Sequence, residues 1–201
     1  CIGIIIYASH LKAEPQSMSL VSVNYDSLVK ISEGDLPDSI RINSLLQLAS
    51  LDYSHNAFET SINRRAFLDK AYNIAKQNNS FADLAVLIDR IGVSKRNRGK
   101  YEIALLLHEY ALGITVETGG KLQSSICYNN LGVVYRRIDE YYKALECHIS
   151  ALKLSEEIEN KKSQAVAINS IGNIQMALGN PDDALEYFEQ SLVLEKELDN
   201  K

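Results

Sequence analysis

Apolar side chains along this chain recur at three- and four-residue intervals, the spacing that gathers them on one face of an α-helix. Leu20, Val21, Val23, Leu28, Val29 and Ile31 predict a first helix from about Ser19 to a stop at Gly34. Gly34-Asp35-Leu36-Pro37-Asp38 then interrupts the pattern with both residue types that break helices. Beyond it the periodicity predicts four helix pairs: 39–56 with 61–77, 81–97 with 100–117, 121–137 with 140–159, and 161–178 with 181–199. Asn78-Asn79-Ser80 reads as a turn. Gly119-Gly120, Gly179 and Asn160 stand where helix C-termini favour a residue tolerant of left-handed geometry. Asn180-Pro181-Asp182-Asp183 offers an N-cap, a first-turn proline and two acids at the positive end of the helix dipole. No segment alternates polar and apolar residues in the manner of a strand, so the chain reads as all-α.

The pairs repeat. Ile91-Gly92, Leu131-Gly132 and Ile171-Gly172 recur with a period of 40, and Ala104, Ala144 and Ala184 follow at the same interval. Ala144-Leu145-Glu146 returns as Ala184-Leu185-Glu186, and Leu152-x-Leu154 as Leu192-x-Leu194. A fixed period of this size is the signature of a solenoid, in which each unit buries its apolar faces only against its neighbours. The small residues predict close helix approach within a pair at Gly132 and Ala144, with Ala151 contacting the next pair. Leu131, Tyr135, Leu145 and Leu152 would fill the seams of the third unit, and Ile171, Leu185, Phe188 and Leu192 those of the fourth.

Tyr128-x2-Leu131-Gly132-x2-Tyr135, followed by Ala144, His148 and Ala151, resembles the tetratricopeptide pattern W-x2-L-G-x2-Y…A-x3-F-x2-A. The fourth unit offers Ile168, Ile171, Gly172, Gln175, Ala184, Phe188 and Ser191, and the second Ile88, Ile91, Gly92, Lys95, Ala104, His108 and Ala111. The first is degenerate: Leu48, Leu51 and Ala71 fit, while Asp52 replaces the glycine and Arg64 the central alanine. The resemblance covers roughly residues 40–199 and implies a right-handed α-solenoid of stacked antiparallel helix pairs. Units fall at about 39–80, 81–120, 121–160 and 161–201, after an apolar segment at 1–15 and an extra helix and linker at 16–38. The period of 40 rather than 34 resembles the subclass found in scaffold proteins and in regulatory regions of bacterial signalling proteins; the surplus suggests a longer second helix, as in Leu152–Ile158.

In this family the first helix of each pair lines the concave face. Carried onto this chain, that stripe is Val86, Asp89, Val93 and Arg96, then Ile126, Asn129, Val133 and Arg136, then Val166, Asn169, Asn173 and Met176. The resemblance implies an asparagine ladder, because an Asn both donates and accepts and so can hold the amides of an extended peptide. Arg90, Arg96, Arg136 and Arg137 form a basic patch in an acidic protein, which points to an acidic peptide or carboxylate partner. The expected peptide-binding residues are therefore Asn129, Asn169, Asn173, Arg96, Arg136, Val133 and Arg90.

Composition narrows the alternatives. A formal charge of −5 and a pI near 5.4 give no general attraction to nucleic acid, and Lys95-Arg96-Asn97-Arg98-Gly99-Lys100 lacks the interleaved aromatics of a single-strand binder. Cys127 and Cys147 fall inside predicted helices and read as small buried hydrophobes. His108 and His148 occupy one repeat position, where packing rather than metal ligation is expected. No metalloprotease, phosphate-loop, dinucleotide or nucleophile-elbow motif is present, so no catalytic residue, metal or cofactor is expected. No run of about 18 apolar residues occurs, so no membrane span is expected. Cys1–Ala8 is almost wholly apolar and reads either as the remnant of a secretory signal ending near Ala13 or as a short segment packing on the array. The first places the chain outside the cytoplasm, in the periplasm, and the second inside it. The functional expectation is a non-catalytic module that binds a peptide or helix in its concave groove, within a larger bacterial signalling protein. Self-association through the fourth unit, with Ile174, Leu178, Leu192 and Leu194 on its open end, is the alternative, ahead of a repeat-type RNA binder.

Overall fold

The computed structural model describes residues 25–51 and 57–199, and the side chains of all of these except 57–62. The possible signal remnant, the expected helix residues before Tyr25 and the Asp52 substitution lie outside the described residues. Within them the chain is a right-handed α-solenoid of antiparallel pairs built from α1 (Tyr25–Glu33), α2 (Asp38–Ser50), α3 (Ala57–Gln77), α4 (Phe81–Asn97), α5 (Tyr101–Glu117), α6 (Lys121–Arg137), α7 (Tyr141–Glu157), α8 (Lys161–Ala177) and α9 (Pro181–Asp199). The pairs are α2/α3, α4/α5, α6/α7 and α8/α9, with α1 packed on α2, and no strand occurs among the described residues.

The repeat period resolves into two equal halves. Helices α4 to α8 are each 17 residues long, so in the second and third pairs both helices share the surplus. In the first and fourth pairs the second helix is the longer one, 21 residues in α3 against 13 in α2 and 19 in α9 against 17 in α8. Each helix from α3 to α8 ends in the same turn, with left-handed residues at Asn79, Gly99, Gly119, Asp139, Glu159 and Gly179, evenly spaced along the chain. The residue after each closes a six-to-one bond, from Ser80 N to Ala75 O, Lys100 to Lys95, Gly120 to Thr115, Glu140 to Tyr135, Asn160 to Ser155 and Asn180 to Gln175, at 2.8–2.9 Å. This is the Schellman closure that satisfies the last free carbonyls of a helix. In the turn after α7 the left-handed position is Glu159 rather than Asn160 (φ 53°). Asn160 instead caps α8, accepting from Ser163 N at 2.9 Å. Asn180, expected to do the same for α9, donates to Gln175 Oε1 at 3.0 Å.

The repeated glycine has a definite purpose. A Cβ placed on Gly92 would lie 2.7 Å from His108 Cε1, on Gly132 2.6 Å from His148 Cε1, and on Gly172 2.7 Å from Phe188 Cε1. Each glycine is thus the seat for a ring carried by the second helix of the same pair, and at Gly172 the Ala184 carbonyl of that helix also comes within 3.2 Å of the Cβ position. A second seam joins the helices of the third and fourth pairs. Ser125 Oγ donates to Ala151 O at 2.8 Å, and in the next unit Ser191 Oγ donates to Ala165 O at 3.0 Å. Serine and alanine have exchanged helices while the bond is kept. Ala151 therefore faces its own pair's first helix, not only the next unit as the sequence suggests. In the first pair Arg64 takes the place of the central alanine, buried, its guanidinium donating to Ala49 O at 2.8 Å.

Candidate peptide groove and its buried polar chain

The first helices touch one another along the array, α2 with α4, α4 with α6 and α6 with α8, whereas α5, α7 and α9 approach one another far less. That asymmetry curves the solenoid and makes the first helices its inner surface. Ile126, Val166 and Met176 are exposed there, as are Asn169 and Asn173, while Val133, Asn129, Arg96 and Arg136 are half-buried.

The two asparagines expected to act alike do different things. The position they occupy pairs with the ring position of the second helix, and the pair changes along the array from Ala49–Leu68 to Asp89–His108, Asn129–His148 and Asn169–Phe188. Asn129 Oδ1 receives a hydrogen bond from His148 Nδ1 at 2.8 Å, so its carbonyl is tied into the pair. Phe188 offers no donor, and Asn169 stays exposed, its Oδ1 accepting from Asn173 Nδ2 at 3.0 Å. Asp89, which the sequence places on the concave stripe, is buried instead.

Asp89 is the centre of a chain that no sequence motif announces. Its Oδ1 lies 2.7 Å from His108 Nδ1, and because a carboxylate only accepts, the imidazole is the donor. Its Oδ2 accepts from Asn130 Nδ2 at 2.9 Å, and Asn130 Oδ1 in turn accepts from Arg96 Nη1 at 3.2 Å. The chain thus runs from α5 through α4 to α6 and back to the groove end of α4. Arg96 and Arg136 are brought together with Arg137. Burial lowers the Arg96 pKa, and the neighbouring Arg137 and Arg136 charges lower it further against Asp89. Among the described residues no carboxylate lies within 4 Å of Arg96, Arg136 or Arg137. Arg90 is not part of the cluster: six positions before Arg96, it is turned about 240° around α4 and is exposed.

His108 and His148 are packing groups. Both are wholly buried, with Nε2 facing the glycine seat and without a hydrogen-bond partner. Burial, with a smaller contribution from Arg136, holds the His148 pKa down to about 4. A histidine depressed from 6.5 in the folded state binds fewer protons than in the unfolded chain between pH 4 and 6.5, so stability rises with pH across that window and falls by about 3 kcal/mol toward its acid end. His148→Phe, which copies the Phe188 arrangement, is expected to remove that part of the slope. Urea unfolding from pH 4 to 7.5 compares the two; parallel curves would exclude His148 as its source. Among the described residues the cysteines Cys127 and Cys147 are free: Cys127 is buried, with its thiol pKa pushed up by burial, and that of half-buried Cys147 is raised to about 11 by the same cause. Neither is an activated thiolate.

Residues 123–194 match the tetratricopeptide repeat family. The third and fourth units, which that match spans, are tetratricopeptide repeats. No curated protein matches the sequence. The fold of the array is shared with solved structures of low identity. BtubC (BKLC) from P. vanneervenii matches at 17% identity and TM-score 0.59, over 88% of this chain and 72% of that one. MamA matches at 18% and 0.53, over 88% and 90%. A putative kinesin light chain with nearly identical tetratricopeptide-like repeats, from Podosopora anserina, matches at 13% and 0.56, over 88% and 85%. Among the described residues no helix of the array is long and apolar enough to cross a membrane.

Proposed function

We propose that this protein-interaction scaffold captures a carboxylate-bearing peptide or helix in the groove lined by α4, α6 and α8. The observation that carries the reading is the Arg96–Arg136–Arg137 cluster, short of carboxylates and desolvated at Arg96, at the end of the groove where Met176 is exposed, with Ile126 and Val166 exposed toward the other end. Three guanidinium groups at the neighbouring ends of α4 and α6 repel one another unless an anion joins them, and a desolvated guanidinium binds a carboxylate more strongly than a solvated one. Asn169 and Asn173 extend the same surface, with amides oriented by each other rather than by the core. Asn129, held by His148, contributes shape more than hydrogen bonds. In this reading the array is the sensor or scaffold part of a larger bacterial signalling protein.

The test is anisotropy of a labelled peptide of alternating Glu and Leu against its Lys-for-Glu counterpart. Binding of the acidic peptide, weakened about tenfold or more in Arg136→Ser/Arg137→Ser and by added salt, supports the groove. Equal binding of the basic peptide, or an unaltered double variant, removes it.

A further inference from the structure

We propose that the outer face of α9 docks a basic amphipathic helix of a partner protein, seated as α6 is seated on α5. The surface is separate from the groove, since α9 is the second helix of its pair.

The template lies within the molecule. Leu105, Glu109 and Leu112 of α5 recur two units later as Leu185, Glu189 and Leu192 of α9. Offsets of four and seven put the three side chains on one helix face. On α5 that face is covered by α6: Leu105 and Leu112 are half-buried, and the Tyr135 hydroxyl donates to Glu109 Oε1 at 3.5 Å. The intermediate copies Leu145 and Leu152 are likewise half-buried, with α8 packed on α7. On α9, Leu185 is 57% exposed and Leu192 48%, with Val193 bare beside them and Glu189 exposed between them. The two leucine positions are thus partly covered twice and left open once.

Charge selects the occupant. Helix α9 carries seven acidic residues against Lys196 alone. The helices that cover α5 and α7 are the opposite: α6 has Lys121, Arg136 and Arg137 without an acid, and α8 has Lys161 and Lys162 without an acid, whereas α4, on α3, mixes Asp83 and Asp89 with Arg90, Lys95 and Arg96. A second copy presenting its own α9 would set like charge against like charge, which disfavours that pairing. A helix with an apolar stripe, flanking Lys or Arg, and a donor opposite Glu189 satisfies both the leucines and the carboxylates.

The probe is a labelled peptide with the α6 sequence, Lys121–Arg137, titrated with the whole protein. Saturable binding with a gain of helical signal is expected, weakened about tenfold or more by Leu185→Glu or Leu192→Glu. Severalfold weakening is expected from Glu189→Gln, from Tyr135→Phe in the peptide, and from salt. A peptide with Lys121, Arg136 and Arg137 changed to Glu is expected not to bind. Absence of binding, equal binding of the charge-reversed peptide, or unaltered affinity in the Leu185→Glu protein would overturn the proposal. So would a concentration-dependent dimer abolished by Leu185→Glu that the peptide cannot displace, because a second copy would then own the face. Should Leu185→Glu lose helical signal, Glu189→Gln and the peptide variants decide, since they leave the apolar packing untouched.

Discussion

Gly132→Val is expected to destabilise the protein by about 4 kcal/mol or more, enough to unfold much of the array at moderate temperature. A Cβ alone would sit 2.6 Å from His148 Cε1 and 2.7 Å from Nε2, well inside van der Waals contact. The ring cannot retreat, because it is wholly buried and its Nδ1 is fixed on Asn129 at 2.8 Å. Gly132→Ala gains about 1 kcal/mol of helix propensity and still loses about 1–2 kcal/mol net to the overlap. Gly113 provides the internal control. It lies inside α5, and a Cβ there meets nothing within 4 Å. Gly113→Ala is therefore expected to raise stability by about 0.5–1 kcal/mol. Urea denaturation of the three variants checks the contrast. Stability changes of one sign at Gly132 and Gly113 would show that helix propensity, not the ring seat, decides. His148→Ala combined with Gly132→Ala should lose less than the two single changes together, since the added methyl enters the space the ring vacates.

Much of this architecture was legible in residue spacing. The apolar periodicity and the Gly/Asn turns gave the helix ends of α4 to α9 to within about a residue or two, because each turn carries its own local chemistry. The glycine's partner was harder to read. Nothing in Gly132 names His148, which reaches it only once the two helices of the pair have packed together. The concave stripe was legible as a face but not as a set of free groups. Asn129 and Asn169 occupy the same repeat position, and their difference is set by His148 against Phe188 on another helix. Comparing ring positions across repeats would have exposed it, since Asp89–His108 and Asn129–His148 share one spacing. Asn130 carried no signal at all. Its importance comes from lying between Asp89 and Arg96, a relation of neighbouring units that period counting does not encode.

That relation supports the second large effect. Asp89→Ala is expected to cost about 3–5 kcal/mol, whereas Asp89→Asn costs only about 1 kcal/mol. The alanine leaves the His108 Nδ1 donor and the Asn130 amide facing a buried space with no acceptor, and buried donors without partners are what make such truncations expensive. Arg96 also loses the carboxylate that offsets its crowding by Arg137 and Arg136. Asparagine, by contrast, reproduces the arrangement one unit along, where Asn129 Oδ1 already receives the histidine proton. It can accept from His108 with Oδ1, but its amide nitrogen meets Asn130 as a second donor, which accounts for the residual cost. Replacing Asn130 with Asp in the Asp89→Asn background restores an acceptor opposite that amide and a carboxylate beside Arg96. The double variant is therefore expected to recover most of the loss. Thermal unfolding of the two single variants and the double variant measures the chain directly. An Asp89→Ala protein as stable as Asp89→Asn would show that Asp89, His108 and Asn130 are independent polar groups rather than a connected link between the second and third units.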